Sequence, residues 1–145
     1  MIQAIKFSWR YLFVLCLILV ILVACTSGST SGGTLTGVVW QLTNVTFNGQ
    51  TTNNIISEPT KYTIQFQTNG TANVKADCNV AVLSYSTNNN KLTIKAGPMS
   101  LAYCGTGSLS SEFVQALELA TSYSLQNNSL TINIGSNGSM NFKQG

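Results

Sequence analysis

From Leu35 to the C-terminus, apolar and polar residues alternate in short runs separated by Asn and Gly, the pattern of antiparallel strands half buried on one face. The clearest run places Tyr62, Ile64 and Phe66 on one face and Thr63, Gln65 and Gln67 on the other. Asn69-Gly70 follows and is expected to supply the two positive-φ residues of a type I′ hairpin, with Ala72, Val74 and Ala76 facing inward on the return strand. Further strands are expected over 38–45, 80–86, 91–95, 122–125, 129–134 and 139–143. Asn88-Asn89-Asn90, Asn127-Asn128 and Asn137-Gly138 read as the turns between them.

One segment has a different period. Over 108–120, Phe113, Ala116, Leu117 and Ala120 recur at helical spacing, with Ser108 as the expected N-cap and Glu112 near the positive end of the helix dipole. About eight short strands and one late helix make a mainly β (α+β) domain, a curved antiparallel sheet or partial barrel whose mouth or face the helix closes.

The first 24 residues do not share this pattern and require a separate reading. Lys6 and Arg10 precede an uncharged apolar run from Tyr11 to Val23, which ends at Leu22-Val23-Ala24-Cys25. A basic n-region, an apolar h-region and a small residue before Cys read as a lipoprotein signal peptide, removed so that Cys25 is lipidated and becomes the new N-terminus. As a helix the run would span only about 20 Å, against roughly 30 Å of hydrocarbon, which disfavours an uncleaved transmembrane anchor. The organisation expected is a signal peptide over 1–24, a lipidated Cys25 with a Gly/Ser/Thr tether over 25–34, and a folded domain over 35–145. Cys16 would be discarded with the signal peptide.

Charge narrows the functional classes. The seven Lys and Arg include Lys6 and Arg10, so the processed domain keeps five Lys against four carboxylates and is close to neutral. Nucleic-acid binding needs clustered cations to displace phosphate counterions, and this surface offers no such cluster. Four Asn-X-Ser/Thr matches occur at Asn44, Asn69, Asn127 and Asn137. In a chain this rich in Asn, Ser and Thr they read as turn chemistry.

Cys78 and Cys104 remain as an even pair in an exported domain and read as a disulfide. The competing reading is a reactive thiol, but Asp77 adjoins Cys78 and the chain has no His to activate it. A metal site lacks enough candidate ligands, and no cofactor is implied. General acid/base chemistry would require Asp77 to converge with Glu58, Glu112 or Glu118. Gly105-Thr106-Gly107 lacks the Lys or Arg of a phosphate loop and reads as an ordinary connection.

Four blocks in order carry a family resemblance: residues 35–42 with Trp40, residues 62–66 before Asn69-Gly70, Cys78-Asn79 followed by Tyr85, and Ser100 to Cys104 before the helical segment. Leu130-Thr131-Ile132 and Met140-Asn141-Phe142 complete them. Together they resemble the META-domain (HslJ-like) family over essentially the whole of 35–145, although Asp77 and Leu83 stand where better-known members carry Gly. The resemblance implies a lipocalin-like partial barrel with one helix, often lipid-anchored or exported, linked loosely to heat shock, antibiotic tolerance, motility or secretion, and without a common reaction.

The expectation is therefore a non-catalytic envelope module with the membrane as one partner, through Cys25, and an envelope protein or small apolar ligand as another. Trp40, Tyr62, Phe66, Tyr85 and Phe142 are its candidate cavity or core residues. Two alternatives stand beside it. One is a structural or stress-protective surface protein without a ligand, and the other a protease-inhibitor-like module presenting the Cys-tied segment 97–107.

Overall fold

The computed structural model describes residues 33–47, 54–136 and 138–145. The expected signal peptide, Cys25, the tether as far as residue 32, and Asn137 lie outside the described residues.

Among the described residues, nine strands and one helix follow in order: β1 (Val39–Thr46), β2 (Asn54–Ile55), a 3-10 turn (Pro59–Lys61), β3 (Tyr62–Phe66), β4 (Thr71–Ala76), β5 (Asn79–Asn88), β6 (Lys91–Lys95), α1 (Ser110–Glu118), β7 (Ala120–Gln126), β8 (Ser129–Ile134) and β9 (Gly138–Gln144). Each strand from β3 to β9 pairs with the next, and both β3 and β9 pair with β1, so eight antiparallel strands close into a barrel. Closure removes the exposed edges that would otherwise invite pairing with other chains. β2 is a short addition on β1 at Asn44 and Val45, beyond the point where β3 leaves that edge. Among the described residues, the pairing and the core lie within the segment from Thr36 to Gly145.

The period-two pattern fills the interior. Tyr62, Ile64 and Phe66 face Ala72, Val74 and Ala76 across β3 and β4, and Leu130, Ile132 and Ile134 line β8 from inside. On β1 the inward positions are Trp40 and Leu42, then Val45. A register shift between Leu42 and Asn44 moves the alternation by one residue and keeps Val45 in the core. Leu83 is buried opposite Ala72, so the larger side chain at this position sits against one of the smallest.

Closure is thinnest between β6 and β7. Among the described residues these strands pair only at Lys91 and Ser122, extended by a Tyr123 N–H donating to the Asn90 carbonyl at 2.9 Å. The helix compensates: Phe113, Val114, Ala116 and Leu117 on one face of α1 are buried in the same core as the strands. Phe113 meets Tyr62 edge-on with ring centroids 5.6 Å apart.

Several turns differ from expectation. At Asn69-Gly70 only Gly70 takes positive φ. The Gly70 N–H donates to the Gln67 carbonyl at 3.3 Å, giving a three-residue loop whose last residue is left-handed, rather than a type I′ turn. The Asn69 side chain instead accepts from the Thr71 N–H and hydroxyl, which favours this looser form. The two positive-φ residues of a type I′ turn occur at Asn127 and Asn128, between the paired Gln126 and Ser129.

The helix is shorter than expected, beginning at Ser110 and giving way to β7 at Ala120. Its N-cap is Leu109, not Ser108, and there is no side-chain cap bond. The Ser108 hydroxyl accepts from the Ser110 N–H one turn position early, and the Leu109 N–H is satisfied by the Tyr62 hydroxyl at 2.9 Å. A tertiary contact thus takes the place of the local cap.

Tyr85 packs edge-on against Phe66, with centroids 4.8 Å apart, and its hydroxyl donates to the Gln67 carbonyl at 2.7 Å. Burial, and then the neighbouring Tyr123, raise its phenol pKa. A phenol held neutral in the folded state contributes stability that is complete below the free value of about 10 and is lost as pH rises through the folded value. Thermal midpoints should therefore be flat with respect to this group at neutral pH and decline above about pH 10. Tyr85→Phe should make that decline shallower, as read by melts across the alkaline range.

Candidate functional site

The distinctive end of the barrel is built from the β4–β5 hairpin. Ala76 pairs with Asn79 across a two-residue loop, and Asp77 takes φ of +58°, a left-handed backbone that Asn and Asp tolerate better than most residues. This conformation explains why glycine suits the position in the family the sequence resembles. The Asp77 N–H donates to the Lys61 carbonyl at 2.7 Å and ties the loop to the start of β3.

The next two residues fasten a second segment. Cys78 is disulfide-bonded to Cys104, with Cα atoms 5.5 Å apart. On the chain-entropy model, closing a loop of this size stabilises the fold by about 3 to 4 kcal/mol. Asn79 is 3% exposed, and its side-chain amide is fully used. Its Nδ2 donates to the Ala102 carbonyl and to Ser110 Oγ, both at 3.0 Å, and lies 3.2 Å from Cys104 Sγ. Its Oδ1 accepts from the Ala102 N–H at 2.8 Å and the Ser100 hydroxyl at 2.9 Å. One buried amide therefore joins the hairpin, the 98–104 segment and the first turn of the helix.

That segment also meets β5 at an antiparallel bridge between Met99 and Ala81. Val82 N–H donates to the Pro98 carbonyl and Ser100 N–H to the Val80 carbonyl, both at 3.0 Å. The two backbones come closest at Gly97, where any Cβ would be driven into the Val82 carbonyl. Only glycine permits that approach.

Beside the clamp, between β1 and α1, lies an apolar groove of about 480 Å³. Leu42, Val45, Phe113 and Met140 form its buried floor, and Phe47, Ile55 and Leu109 its exposed rim. Ile55 on β2 is 80% exposed, and Glu112 supplies a carboxylate.

Of the residues singled out from sequence, Trp40, Phe66 and Phe142 lie in the core with 2% exposure or less, Tyr62 is buried against the helix, and Tyr85 is half buried. None of the five lines this groove. The groove was missed because Phe47, Ile55 and Ile56 lie in an Asn- and Thr-rich stretch without strand or helix period. The signal available there was an apolar pair, Ile55-Ile56, outside any amphipathic pattern.

Among the carboxylates, Asp77 does approach Glu58, but around a cation. Lys61 Nζ lies 2.7 Å from Glu58 and 3.8 Å from Asp77. The hydrogen bond and charge of Glu58, then the charge of Asp77, raise the Lys61 pKa, which keeps the amine protonated and unreactive as a nucleophile at neutral pH. Glu112 stands apart at the groove. Among the described residues, no group of three or more His, Cys, Asp or Glu is placed to hold a metal ion.

The META-domain family model matches residues 33–145. The chain belongs to the META-domain family. The META fold seen here is similar to that of a protein from Burkholderia xenovorans solved by NMR, at 16% identity and a TM-score of 0.61, covering 77% of this chain and 83% of that one. It is also similar to the crystal structure of a DUF4847 family protein from Bacteroides vulgatus, at 12% identity and a TM-score of 0.57, covering 75% and 93%. At these identities the likeness concerns the fold alone. No curated protein matches the chain.

The clamp of this META domain makes a direct stability prediction. Asn79→Ala removes the bonds to Ser100 and Ala102, leaves the buried Ser110 hydroxyl without its partner, and should destabilise the domain by about 3 kcal/mol, on the order of 10 °C in thermal midpoint. The exposed Asn133, whose side chain donates to Ser122 Oγ at 2.8 Å, provides the control. Asn133→Ala should change stability by less than about 0.5 kcal/mol in the same calorimetric comparison.

Proposed function

We propose that this META domain is a non-catalytic binding module, held on the outer side of a membrane by lipid on Cys25, whose groove takes a small apolar ligand. The groove itself carries the reading. Its volume of about 480 Å³ lies within the range of small-molecule sites, and its apolar floor and single rim carboxylate match their usual make-up. The non-catalytic part is supported by the ionisable groups: Lys61 is held protonated between Glu58 and Asp77, and the chain has no His. Neither arrangement favours proton transfer near neutral pH.

The filled barrel favours a second reading, a structural or stress-protective surface protein without a ligand. Trp40, Phe66, Leu83 and Ile132 occupy the interior that a lipocalin-type carrier would leave hollow. The two readings differ at the groove. Titration of a fluorescent fatty-acid analogue into the folded segment 33–145 should give a saturable one-to-one signal that Ile55→Asp weakens at least about tenfold. Because Ile55 is 80% exposed, that substitution should leave the thermal midpoint unchanged. A response that never saturates would favour the structural reading.

The location has its own test. Two or three acyl chains hold a protein on a bilayer far more firmly than one. Cells fed labelled palmitate should incorporate it into the wild-type chain and not into Cys25→Ala, which should accumulate as precursor. Label surviving in Cys25→Ala would overturn the anchor.

A further inference from the structure

The segment tied down by Asn79 and Cys104 carries two large apolar side chains pointing away from the fold. Leu101 is 87% exposed and Tyr103 is 83% exposed. Exposed aromatic and leucine side chains normally sit on mobile loops or find a partner. Here the backbone around them is fixed. Ser100 is bonded to Val80 and Asn79, Ala102 to Asn79 through both its N–H and its carbonyl, and Cys104 to Cys78.

The pins fall on alternate residues, which determines what the others present. In extended backbone the N–H and C=O of one residue point to one side and those of its neighbours to the other. Both Ala102 groups point at Asn79, and the peptide bonds are trans, so the Leu101 C=O and the Tyr103 N–H point away from the clamp, while both side chains are exposed. A pinned segment that offers an outward C=O and an outward N–H two residues apart is a shape that a protease cleft binds by antiparallel pairing. Rigidity before binding removes the ordering cost that a flexible substrate would incur.

We propose that residues 99–104 form a substrate-like inhibitory loop for a serine protease with an apolar primary pocket. Tyr103 fills that pocket, and Leu101 occupies the subsite two residues before it. The segment 97–107 contains no Lys, Arg, Asp or Glu, which excludes proteases whose pocket selects a cation or an anion. The disulfide and Asn79 hold the backbone on both sides of Tyr103, so the bound peptide cannot relax as an ordinary substrate does. The loop is also well placed for encounter. The chain joins the barrel at Thr36, which bridges to Phe66 at one end of β3, whereas the clamp lies beside Lys61 and Tyr62 at the other end. This inference is independent of the groove, and failure of either leaves the other standing.

The test is inhibition of chymotrypsin, subtilisin and trypsin by the full chain solubilised in mild detergent, with the chain followed by mass spectrometry. Concentration-dependent inhibition of chymotrypsin or subtilisin, with trypsin unaffected, is expected. Tyr103→Ala should weaken it at least about 30-fold, the loss typical of truncating an aromatic anchor, and Tyr103→Phe should retain it. Because Tyr103 is exposed, these variants should melt with the wild type. Full residual activity of chymotrypsin and subtilisin would overturn the proposal. So would cleavage after Tyr103 at an ordinary substrate rate, or inhibition that survives Tyr103→Ala combined with Leu101→Ala.

Discussion

A single buried amide, that of Asn79, sets the arrangement of one whole end of this protein. An Asn side chain removed from water needs its donors and acceptor satisfied, and here the partners come from two other pieces of chain, Ser100 and Ala102 in one and Ser110 in the other. Any displacement of the 98–104 segment or of the helix start would leave buried polar groups without partners. The disulfide from Cys78 acts on the same elements by a different physical route, restricting the unfolded chain rather than directing folded geometry. The amide therefore acts on the folded state and the disulfide on the unfolded one. The Tyr62 hydroxyl, bonded to the Leu109 N–H, extends the polar tie from the sheet to the helix.

The clamp matters because the barrel does not close by strand pairing alone. β6 and β7 meet near Lys91 and Ser122 and then part, and the helix brings Phe113, Val114, Ala116 and Leu117 into the core. A nine-residue helix is too short to be stable in isolation and depends on tertiary packing. Its N-terminal turn is positioned by Asn79 through Ser110, and its apolar face is fixed by the core. The groove follows from the same placement, since Phe113 and Ala116 form one wall while β1 and β9 contribute Leu42, Val45 and Met140.

The sequence made most of the strands legible because each buries one face, and period two survives in the residue types. β6 and β8 fall at the boundaries that alternation predicts, over Lys91–Lys95 and Ser129–Ile134. Features that depend on contacts between distant residues were not legible. The β1 bulge breaks its alternation between Leu42 and Asn44, the Leu109 cap relies on Tyr62 forty-seven residues away, and Asn69-Gly70 differs from Asn127-Asn128 through a local side-chain bond. The strand β2 and the groove escaped for a related reason: two residues cannot display a period. The Cys78 and Cys104 pairing was legible from cysteine number and context, but the role of Asn79 was not, because nothing in an Asn-rich sequence separates a buried Asn from a turn Asn.

The arrangement of the two ends of the barrel also follows from topology. Thr36 bridges to Phe66, and Gly37 N–H donates to the Phe66 carbonyl, so the chain joins the domain beside the β3–β4 turn. Lys61, Asp77 and the clamp occupy the opposite end of β3, about 13 Å away along the strand. The groove opens toward that far end through Ile55, Ile56 and Leu109, since Ile56 N–H is bonded to Thr43 and Leu109 to Tyr62. The point where the chain enters the barrel and the two exposed apolar features are thus separated by the length of the barrel. On the anchored reading proposed above, a domain held through its N-terminal side would offer its apolar surface at the other end and could meet a soluble partner without competition from the surface that holds it. With the contacts reversed, bilayer lipid would be the first occupant of any apolar groove.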